Sequence, residues 1–263
     1  MIDLGGHAAL VTGGSQGVGG AVAQQLVRCG ASVVIHGLEA REVEAQVETC
    51  RRLVPLGSDS VVAGIVGDLI AGQPDNIARL IAEAFERVPT IDLLVANAGT
   101  YIDLPFLEMP YERLDRTMKL NVYAYFLTVQ ETARRWVAAG RGGRVVLVGS
   151  INGRLSEDVH VAYDASKGAV EAMVRSMAVS LAPLGIRVNG MAPGLVETPL
   201  TAPALADPTF REWMRRHTPN RQVPGPEACA GAVAFLLSDD AWHVHGQMLL
   251  VDGGMSAWQQ PDP

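Results

Sequence analysis

Short apolar runs alternate with longer amphipathic stretches along most of the chain. Several runs are apolar at every position, which is typical of strands covered on both faces. Seven runs rich in Val, Leu and Ile predict strands over residues 8–11, 32–35, 61–66, 93–96, 144–148, 187–191 and 248–251. Helical periodicity between them predicts helices over residues 18–29, 41–52, 74–87, 111–139, 162–182 and 226–238. This alternation predicts an α/β fold, a doubly wound parallel sheet of about seven strands with helices on both faces.

The alternation shows no boundary between domains. The sequence has no Pro/Ser linker, charge block or internal repeat, so we predict a single domain over residues 1–263. Residues 199–224 differ from the rest of the chain in composition and periodicity. They contain five prolines, no strand pattern and an amphipathic piece around residues 210–217. Long inserts in compact domains are often functional, so this segment is predicted to be a substrate lid.

Charge and composition narrow the range of partners. A formal net charge of −7 argues against a general nucleic-acid binder, because phosphate contacts need clustered Lys and Arg. The apolar runs are broken by Gly or charge well short of a membrane span, and the N-terminus lacks the pattern of a signal peptide. Cys29, Cys50 and Cys229 are scattered without a Cys-x-x-Cys spacing, which supports neither a zinc site nor a disulfide framework. We therefore expect a cytoplasmic protein with a small-molecule substrate and no metal, membrane or nucleic-acid partner.

A glycine-rich turn follows the first predicted strand and opens directly into a helix. Residues 12–19 read Thr-Gly-Gly-Ser-Gln-Gly-Val-Gly. Glycines let the backbone approach a bulky anion, and the helix N-terminus supplies free N–H groups and a positive dipole for a pyrophosphate. A glycine-rich turn without a ligand is the alternative, because such patterns also arise by chance. The candidate cofactor-binding residues of this turn are Gly13, Ser15, Gln16, Gly17, Val18 and Gly19.

A tyrosine and a lysine stand four residues apart at the start of the helix predicted over residues 162–182. Tyr163 and Lys167 therefore project from one helix face. A phenol normally titrates near ~10, and a neighbouring ammonium is expected to lower its pKa toward working pH. Tyr163 would then take the proton from an alcohol as a hydride leaves, or return it in reduction. The pair alone is weak evidence, since this spacing is frequent on helix surfaces.

Together with the glycine turn, these residues resemble the classical short-chain dehydrogenases/reductases, whose first turn reads Thr-Gly-x-x-x-Gly-x-Gly. The resemblance extends over residues 8–254. It implies a Rossmann-type fold and hydride transfer between NAD(P) and an alcohol or carbonyl carbon, with Tyr163 as general acid/base. Ser150, thirteen residues before Tyr163, matches the family serine that donates a hydrogen bond to the substrate oxygen. Asn121 matches the residue that holds a water linking Lys167 to solvent.

The same resemblance implies the remainder of the cofactor site. In the family an acid after the third strand meets the adenine amine, an Asn-Ala-Gly segment shapes the floor, and a Pro-Gly-x-x-x-Thr loop binds the nicotinamide amide. The matching residues here are Asp68, Leu69, Asn97, Ala98, Gly99, Pro193, Gly194, Val196 and Thr198. Asn97 has two open interpretations, since an Asn after a strand either touches the cofactor or forms the turn.

Nucleotide preference should be decided at the end of the second strand. Gly37 and Leu38 stand where the family carries its selecting acid or basic residue, so this chain has neither. Gly37 leaves room for a 2′-phosphate, with His36 and Arg41 nearby in sequence. Because no Arg occupies a usual phosphate-binding position, we expect NAD, with NADP as the alternative.

The substrate pocket is predicted from residues 100–106 and 151–160 and from the 199–224 segment. Its candidate side chains are Tyr101, Asp103, Glu157, Asp158, His160, Trp213 and Met214. This mixed set suits a small polar alcohol, a polyol or a hydroxy acid. We expect His160 to be a solvated loop histidine. The solvent-exposed face of an amphipathic helix is expected to carry Arg211, Arg215, Arg216 and His217.

Two other functions stay open. An NADPH-dependent 3-oxoacyl-thioester reductase of the same family would need a basic patch for a carrier protein, to which Arg134, Arg135 and Arg175 would contribute. A dinucleotide-binding regulator without turnover is disfavoured because Asn121 and Ser150 accompany the Tyr–Lys pair. The four-residue Tyr–Lys spacing also disfavours the divergent enoyl reductases, which space these residues more widely. The resemblance further implies a homo-oligomer, most commonly a tetramer.

Overall fold

Seven strands form one parallel sheet in the computed structural model, which describes residues 2–258. The strands are β1 (Ala8–Val11), β2 (Ser32–Gly37), β3 (Val62–Val66), β4 (Leu93–Ala96), β5 (Gly143–Val148), β6 (Ile186–Pro193) and β7 (Met248–Val251). Their order is β3-β2-β1-β4-β5-β6-β7. Strands β2 and β3 therefore lie on one side of β1, and β4 to β7 lie on the other. The order switches between β1 and β4, and parallel sheets of this kind bind ligands beyond the carboxyl ends of the strands at such a switch.

Helices cover both faces of the sheet, as the sequence predicted. They are α1 (Gly17–Arg28), α2 (Ala40–Arg51), α3 (Asp75–Arg87), α4 (Tyr111–Met118), α5 (Ala124–Ala138), α6 (Val161–Leu181), α7 (Ala202–Leu205), α8 (Pro208–Arg216) and α9 (Glu227–Leu237). Successive strand residues point to opposite faces. Thus Ala9 and Val11 of β1 join the core under α1, α2 and α9, whereas Ala8 and Leu10 join the core under α3, α5 and α6.

The helix predicted over residues 111–139 is interrupted near its middle. A π-helical turn, Lys119–Tyr123, separates α4 from α5, and the N–H of Ala124 donates to the carbonyl of Lys119, five residues back. An extra residue in such a turn changes the direction in which its side chains point, and π-turns are frequent at functional sites. Here the turn carries the buried Asn121.

Residues 199–224, predicted to form a lid with one amphipathic piece, contain two short helices, α7 and α8. The Asp207 carboxylate caps α8, accepting a hydrogen bond of 2.8 Å from the Thr209 N–H. Among residues 2–258, no helix is both long and apolar enough to cross a membrane.

Candidate active site

The carboxyl ends of β1, β4, β5 and β6 meet at one edge of the sheet. The glycine turn follows β1, Asn97 follows β4, and Ser150 lies two residues beyond β5. Since the paired strands run parallel and in register, these segments converge at the switch point. The sequence-predicted site residues are thus brought to a common edge by the topology.

The glycine turn is held by close backbone contacts that leave no room for side chains. Gly13 and Gly17 have φ values of 61° and 54°, a region that favours glycine. A Cβ on Gly19 would lie 2.2 Å from the Gly13 carbonyl oxygen. A Cβ on Gly13 itself would lie 2.7 Å from Cα of Ala98. Such a cradle fits a pyrophosphate resting on the N-terminus of α1, so the residues present fit NAD(P).

Asn97 is committed to this turn through its side chain. Its Nδ2 donates to the carbonyl oxygens of Thr12 and Gly13, both at 3.0 Å, and its N–H donates to Thr12 Oγ1 at 2.9 Å. The amide therefore fixes the shape of the phosphate-binding turn, which favours the turn-forming interpretation of this residue.

His36 lies buried beneath the glycine turn. Its Nδ1 accepts a 3.3 Å hydrogen bond from the Gly13 N–H, and its Nε2 lies 3.0 Å from the Gly67 carbonyl oxygen. Burial lowers the pKa of His36 to about 4, so the ring is neutral and Nε2 carries the proton. The interpretation of His36 as a residue near a 2′-phosphate is wrong, because its side chain faces the interior and supports the turn.

A carboxylate that sequence reasoning missed lies at the adenosine end of the cradle. Ser15 Oγ donates a 3.4 Å hydrogen bond to Oε2 of Glu42 in the first turn of α2. A Cβ on Gly37 would lie 2.9 Å from the same Ser15 Oγ, so Gly37, Ser15 and Glu42 share one corner. Leu38 is exposed beside them. Glu42 was missed because it comes five residues after Gly37, on a helix rather than at the strand end.

Asp68, the acid predicted to meet the adenine amine, and its neighbour Leu69 lie just beyond β3. The Asp68 carboxylate accepts a 2.7 Å hydrogen bond from the N–H of Ile70, which fixes the turn. Leu69 is buried in the core on the α3 side of the sheet.

The loop after β6 lies against the glycine turn. Gly194 continues from Pro193 at the end of β6, and its N–H donates to the Val251 carbonyl at 3.0 Å. Val196 is buried. A Cβ on Gly17 would lie 3.5 Å from Cβ of Thr198, so Thr198 lies directly against the glycine turn.

The tyrosine, serine and lysine predicted to be catalytic lie together. The Ser150 hydroxyl hydrogen-bonds to the Tyr163 phenol. Lys167 Nζ lies 5.6 Å from the centroid of the Tyr163 ring and donates a 3.0 Å hydrogen bond to the Val148 carbonyl. Lys167 is a buried residue. The arrangement places one acid/base group, one hydroxyl donor and one buried ammonium around a common point.

Burial dominates the protonation of this group. It raises the pKa of Tyr163 to about 12, against the opposing effect of the Ser150 hydrogen bond. It lowers the pKa of Lys167 to about 8, because an ammonium loses hydration inside the protein. The prediction that Lys167 brings the pKa of Tyr163 below its ordinary value is wrong, since loss of hydration on burial outweighs the lowering by the Ser150 hydrogen bond.

Asn121 ties the π-helical turn to the loop after β4 and to α6. Its Nδ2 donates to the Thr100 carbonyl at 2.8 Å and to Ser166 Oγ at 3.0 Å, while its Oδ1 accepts from the Thr100 N–H at 2.9 Å. A Cβ on Gly99 would lie 3.2 Å from Asn121 Oδ1 and 3.8 Å from Lys167 Nζ. Thr100 begins the predicted substrate loop 100–106, whereas Ser166 was missed by sequence reasoning because a lone hydroxyl in a helix carries no motif.

A charged cluster adjoins Tyr163 on the side of the predicted substrate loops. His160 Nε2 lies 2.5 Å from Asp103 Oδ1, and its Nδ1 lies 3.3 Å from Glu157 Oε1. These two carboxylates raise the pKa of His160 to about 9, with Glu157 the larger cause. The His160 and Tyr163 rings meet edge-on at 6.1 Å. The expectation of a solvated loop histidine is wrong, because the side chain is only 15% exposed, with Nε2 bonded to Asp103 and Nδ1 facing Glu157.

The two substrate loops are joined to each other and to the 199–224 segment. The Leu104 N–H donates to the Val159 carbonyl at 3.0 Å, and Tyr101 Oη donates to the Leu200 carbonyl at 3.3 Å. Asp158 is an exposed neighbour in the second loop.

The charged and aromatic side chains of α8 contact partners close to them in sequence. Arg211 pairs with Glu197 at 3.0 Å and Arg215 with Glu212 at 2.8 Å. Trp213, a candidate pocket residue, stacks on His217 with ring centroids 3.9 Å apart. The Met214 carbonyl accepts the Thr218 hydroxyl at 2.8 Å. These local pairings are typical of a helix with a solvated charged face.

Metal ligation finds no support in the part of the chain that the structure describes. No group of three or more His, Cys, Asp or Glu side chains there is placed to hold an ion.

Known proteins resemble this chain along nearly its whole length. A family model described as "Enoyl-(Acyl carrier protein) reductase" matches residues 13–256. The L-rhamnose 1-dehydrogenase (NAD(P)(+)) of Sphingomonas sp. strain SKA58 is 35% identical over 254 residues, covering 96% of this chain and 97% of the relative. The 5-keto-D-gluconate 5-reductase of Escherichia coli K12 is 33% identical over 255 residues, covering 97% of each chain.

A solved structure shares the fold. The gluconate 5-dehydrogenase of Burkholderia cenocepacia J2315, in complex with NADP and tartrate, is 30% identical with a TM-score of 0.90, and the match covers 98% of each chain. Sequence, fold and the order of the motifs therefore agree. The chain belongs to the classical short-chain dehydrogenase/reductase family and is an NAD(P)-dependent oxidoreductase.

Proposed function

We propose that this protein interconverts a CH–OH group and a C=O group on a sugar or sugar-derived polyhydroxy compound. The observation that carries the proposal is the meeting of Tyr163 and Ser150 with a cluster of hydrogen-bonding carboxylates beside them. Two of the relatives named above, the rhamnose and ketogluconate enzymes, act on sugar-derived substrates by their names.

Chemistry at the site divides between the nucleotide and the side chains. Bound against Gly13, Gly17 and Gly19, NAD(P) would supply the hydride acceptor for oxidation of the carbinol carbon and the hydride donor for reduction. Tyr163 accepts the hydroxyl proton in oxidation and donates it in reduction. With a pKa of about 12 the phenol of Tyr163 is protonated at neutral pH. It can therefore donate a proton directly in reduction, whereas in oxidation it must first release its own proton before it acts as the base.

Ser150 and Lys167 assist Tyr163 from two sides. The Ser150 hydroxyl, already hydrogen-bonded to the phenol, is positioned to donate to the substrate oxygen as negative charge develops there. Lys167, held by the Val148 carbonyl, stabilises the phenolate that forms when Tyr163 loses its proton. Asn121, through Thr100 and Ser166, fixes the wall beside Lys167 where the proton passes to solvent.

We infer that NAD is preferred over NADP. The support is Glu42, whose carboxylate contacts the Ser15 hydroxyl, which itself lies against Gly37. A carboxylate there accepts hydrogen bonds from the ribose hydroxyls and repels a 2′-phosphate.

Nucleotide titrations of Glu42→Gln test this preference. The wild type should bind NADH at least tenfold more tightly than NADPH, and Glu42→Gln should reduce that ratio at least threefold by improving NADPH binding. Glu44→Gln, an exposed acid on the same helix, is the matched control and should leave the ratio unchanged. Tenfold tighter binding of NADPH by the wild type would contradict the preference.

The thioester-reductase alternative is weakened by the surroundings of its three arginines. Arg134 pairs with Glu131, Arg175 pairs with Glu171, and Arg135 lies over the Phe85 ring at 5.5 Å. Carboxylates thus offset two of the three charges in the patch that an acidic carrier protein would require.

A substrate panel tests the proposed function directly. Purified protein is assayed with aldoses, polyols, aldonates and an acetoacetyl thioester, each with both nucleotides, by nicotinamide absorbance. We expect the largest kcat/KM among the polyhydroxy compounds. A thioester preferred tenfold or more would replace this function with the alternative.

We further propose that the chain acts as a homo-oligomer in the cytoplasm, as a single domain with residues 199–224 as a substrate lid. Apolar side chains exposed along α4 and α5 support the oligomer, and three free, buried thiols suit a reducing compartment. The Tyr101–Leu200 hydrogen bond, which joins the segment to a substrate loop, supports the lid.

A further inference from the structure

The cluster of Asp103, His160 and Glu157 adjoins Tyr163, whose ring lies 6.1 Å from that of His160. His160 stands one residue before α6 and Tyr163 in its first turn, so the helix fixes their separation. Tyr101 closes the group, edge-on to His160 at 5.6 Å and to Tyr163 at 6.1 Å. A substrate whose reacting oxygen sits at Tyr163 reaches this cluster with groups a few carbons away.

The cluster has a built framework rather than a chance arrangement of loop charges. Asn152 Nδ2 donates to Glu157 Oε1 at 3.1 Å and to Asp164 Oδ1 at 2.9 Å. Asn152 N–H also donates to Ser150 Oγ at 3.1 Å, which connects the cluster to the catalytic serine. The buried Asn152 therefore fixes Glu157 relative to Ser150.

Charge and hydrogen-bonding capacity both favour an uncharged ligand here. Two carboxylates surround one imidazolium, so the cluster carries one net negative charge. Among the described contacts, His160 engages Oδ1 of Asp103 and both His160 and Asn152 engage Oε1 of Glu157. The second oxygen of each carboxylate projects from a side chain that is half exposed, at 50% for Asp103 and 56% for Glu157.

These oxygens are acceptors without protons of their own. Hydroxyl groups of a sugar donate to them, whereas a substrate carboxylate brings no proton and meets like charge. The lid cations Arg211 and Arg215, which could have offset this charge, are paired with Glu197 and Glu212.

We propose that the Asp103–His160–Glu157 cluster selects an uncharged polyhydroxy substrate, an aldose, over sugar acids by accepting hydrogen bonds from its hydroxyls. This rests on the proposed function and specifies its substrate class. An aldose is oxidised at its anomeric carbon to a lactone: the anomeric C–H leaves as hydride to NAD(P)⁺, and the anomeric O–H proton goes to the phenolate of Tyr163, which has first released its own proton to solvent. Asp103 and Glu157 bind the ring hydroxyls during this step and exchange no proton with the substrate.

Matched substrates that differ in a single charge test the selection. D-Glucose and D-galactose are compared with D-glucuronate and D-galacturonate, which carry the same anomeric centre, and with D-gluconate. We expect the wild type to favour the better aldose over its uronate at least tenfold in kcat/KM. The variant Asp103→Asn/Glu157→Gln should reduce this preference at least fivefold, mainly through the KM values.

A double variant remote from the site controls for the removal of two charges. Glu44→Gln/Glu86→Gln changes exposed acids on α2 and α3 and should keep the wild-type ratio. A wild type that uses a uronate or gluconate as well as the aldose overturns the inference. So does a site variant that lowers aldose and uronate turnover by one common factor, which a merely structural role would produce. If every sugar fails while nucleotide still binds, the proposed function itself falls, and the inference with it.

Discussion

Tyr163 combines a partly buried ring, a serine partner and a lysine facing that ring, and each of these features serves proton transfer. Replacing Tyr163 with Phe keeps the ring that packs against His160 and Tyr101 but removes the transferable proton. General acid–base catalysis typically contributes about 10²–10⁴-fold, so we expect kcat to fall by that factor. Steady-state assays and nucleotide titration by fluorescence measure the two effects separately.

The same two measurements on Tyr111→Phe supply the control. Tyr111 is exposed at the start of α4, so loss of its hydroxyl should change neither turnover nor nucleotide affinity. Turnover that survives in Tyr163→Phe would show that the proposed acid/base assignment is wrong. An equal loss of nucleotide binding would instead give Tyr163 a structural role.

His36 makes the stability of the glycine turn dependent on pH. Its folded pKa of about 4 lies below the ordinary value of 6.5, so below pH 6.5 the unfolded chain takes up a proton that the folded chain does not. The contribution is complete above pH 6.5 and is lost as the pH falls toward 4. The shift corresponds to about 3 kcal/mol of unfolding free energy once the loss is complete.

Denaturant unfolding across this pH range, with His36→Asn as comparison, checks the prediction. The variant cannot titrate at this position, so its unfolding free energy should fall less steeply with acid than that of the wild type. Parallel curves for the two proteins would contradict it. Other groups that titrate in this range are common to both proteins and cancel in the difference.

At the level of elements, the glycine turn and α9 offer a matched pair of glycine substitutions. Gly19→Ala places a Cβ 2.2 Å from the Gly13 carbonyl oxygen and 2.3 Å from Asn97 Nδ2, so the turn must open. Nucleotide affinity should fall at least tenfold. Gly231→Ala in α9 meets no atom within 4 Å and should stabilise the helix by about 0.5–1 kcal/mol.

Both variants are tested in two ways. Nucleotide titration measures whether an added Cβ disrupts the turn, and thermal unfolding measures the gain in helix stability. Full nucleotide affinity in Gly19→Ala would show that the turn is not the phosphate cradle. A destabilised Gly231→Ala would show that α9 has a neighbour at this position.

The elements themselves followed from the sequence because their signals are local. Apolar runs predicted all seven strands, and the glycine turn and the Tyr–Lys spacing identified the edge of the sheet where the site lies. The π-helical turn at Lys119–Tyr123 escaped prediction, since one extra residue in a long amphipathic helix barely alters its periodicity. The environments of His36 and His160 also escaped, because they depend on partners such as Gly67 and Asp103, distant in sequence.

Protonation at the site could not be predicted from residue spacing for a related reason. The i, i+4 pairing of Tyr163 and Lys167 fixes their separation but not their burial, and burial is what raises one pKa and lowers the other. Burial arises from the whole arrangement of β5, α6 and the substrate loops. The identity of the catalytic residues can therefore be predicted from local spacing, whereas their pKa values depend on the burial that the complete fold produces.

At the scale of the whole molecule, the continuous helical unit formed by α4, the π-helical turn and α5 presents an apolar outer surface. Tyr111, Leu114, Tyr123 and Phe126 are exposed along it, and Phe126 is 47% exposed on the helix that also buries Trp136. Contiguous apolar surface of this kind marks contact with another chain. We expect the wild type to form a homo-oligomer, and Phe126→Glu to shift it toward smaller species because a charge cannot be buried unpaired at an interface.

Light scattering measures the molar masses of the wild type and Phe126→Glu, with Leu56→Glu as the control. Leu56 is fully exposed in the loop after α2, away from this surface, so a charge there should leave the molar mass unchanged. A wild type that is a clean monomer contradicts the prediction outright. If Phe126→Glu keeps the wild-type mass, the contact lies elsewhere on the molecule, and the apolar surface of α4 and α5 needs another explanation. Because α4 and the π-helical turn also position Asn121, dissociation that lowers kcat would connect the assembly to the chemistry at Lys167.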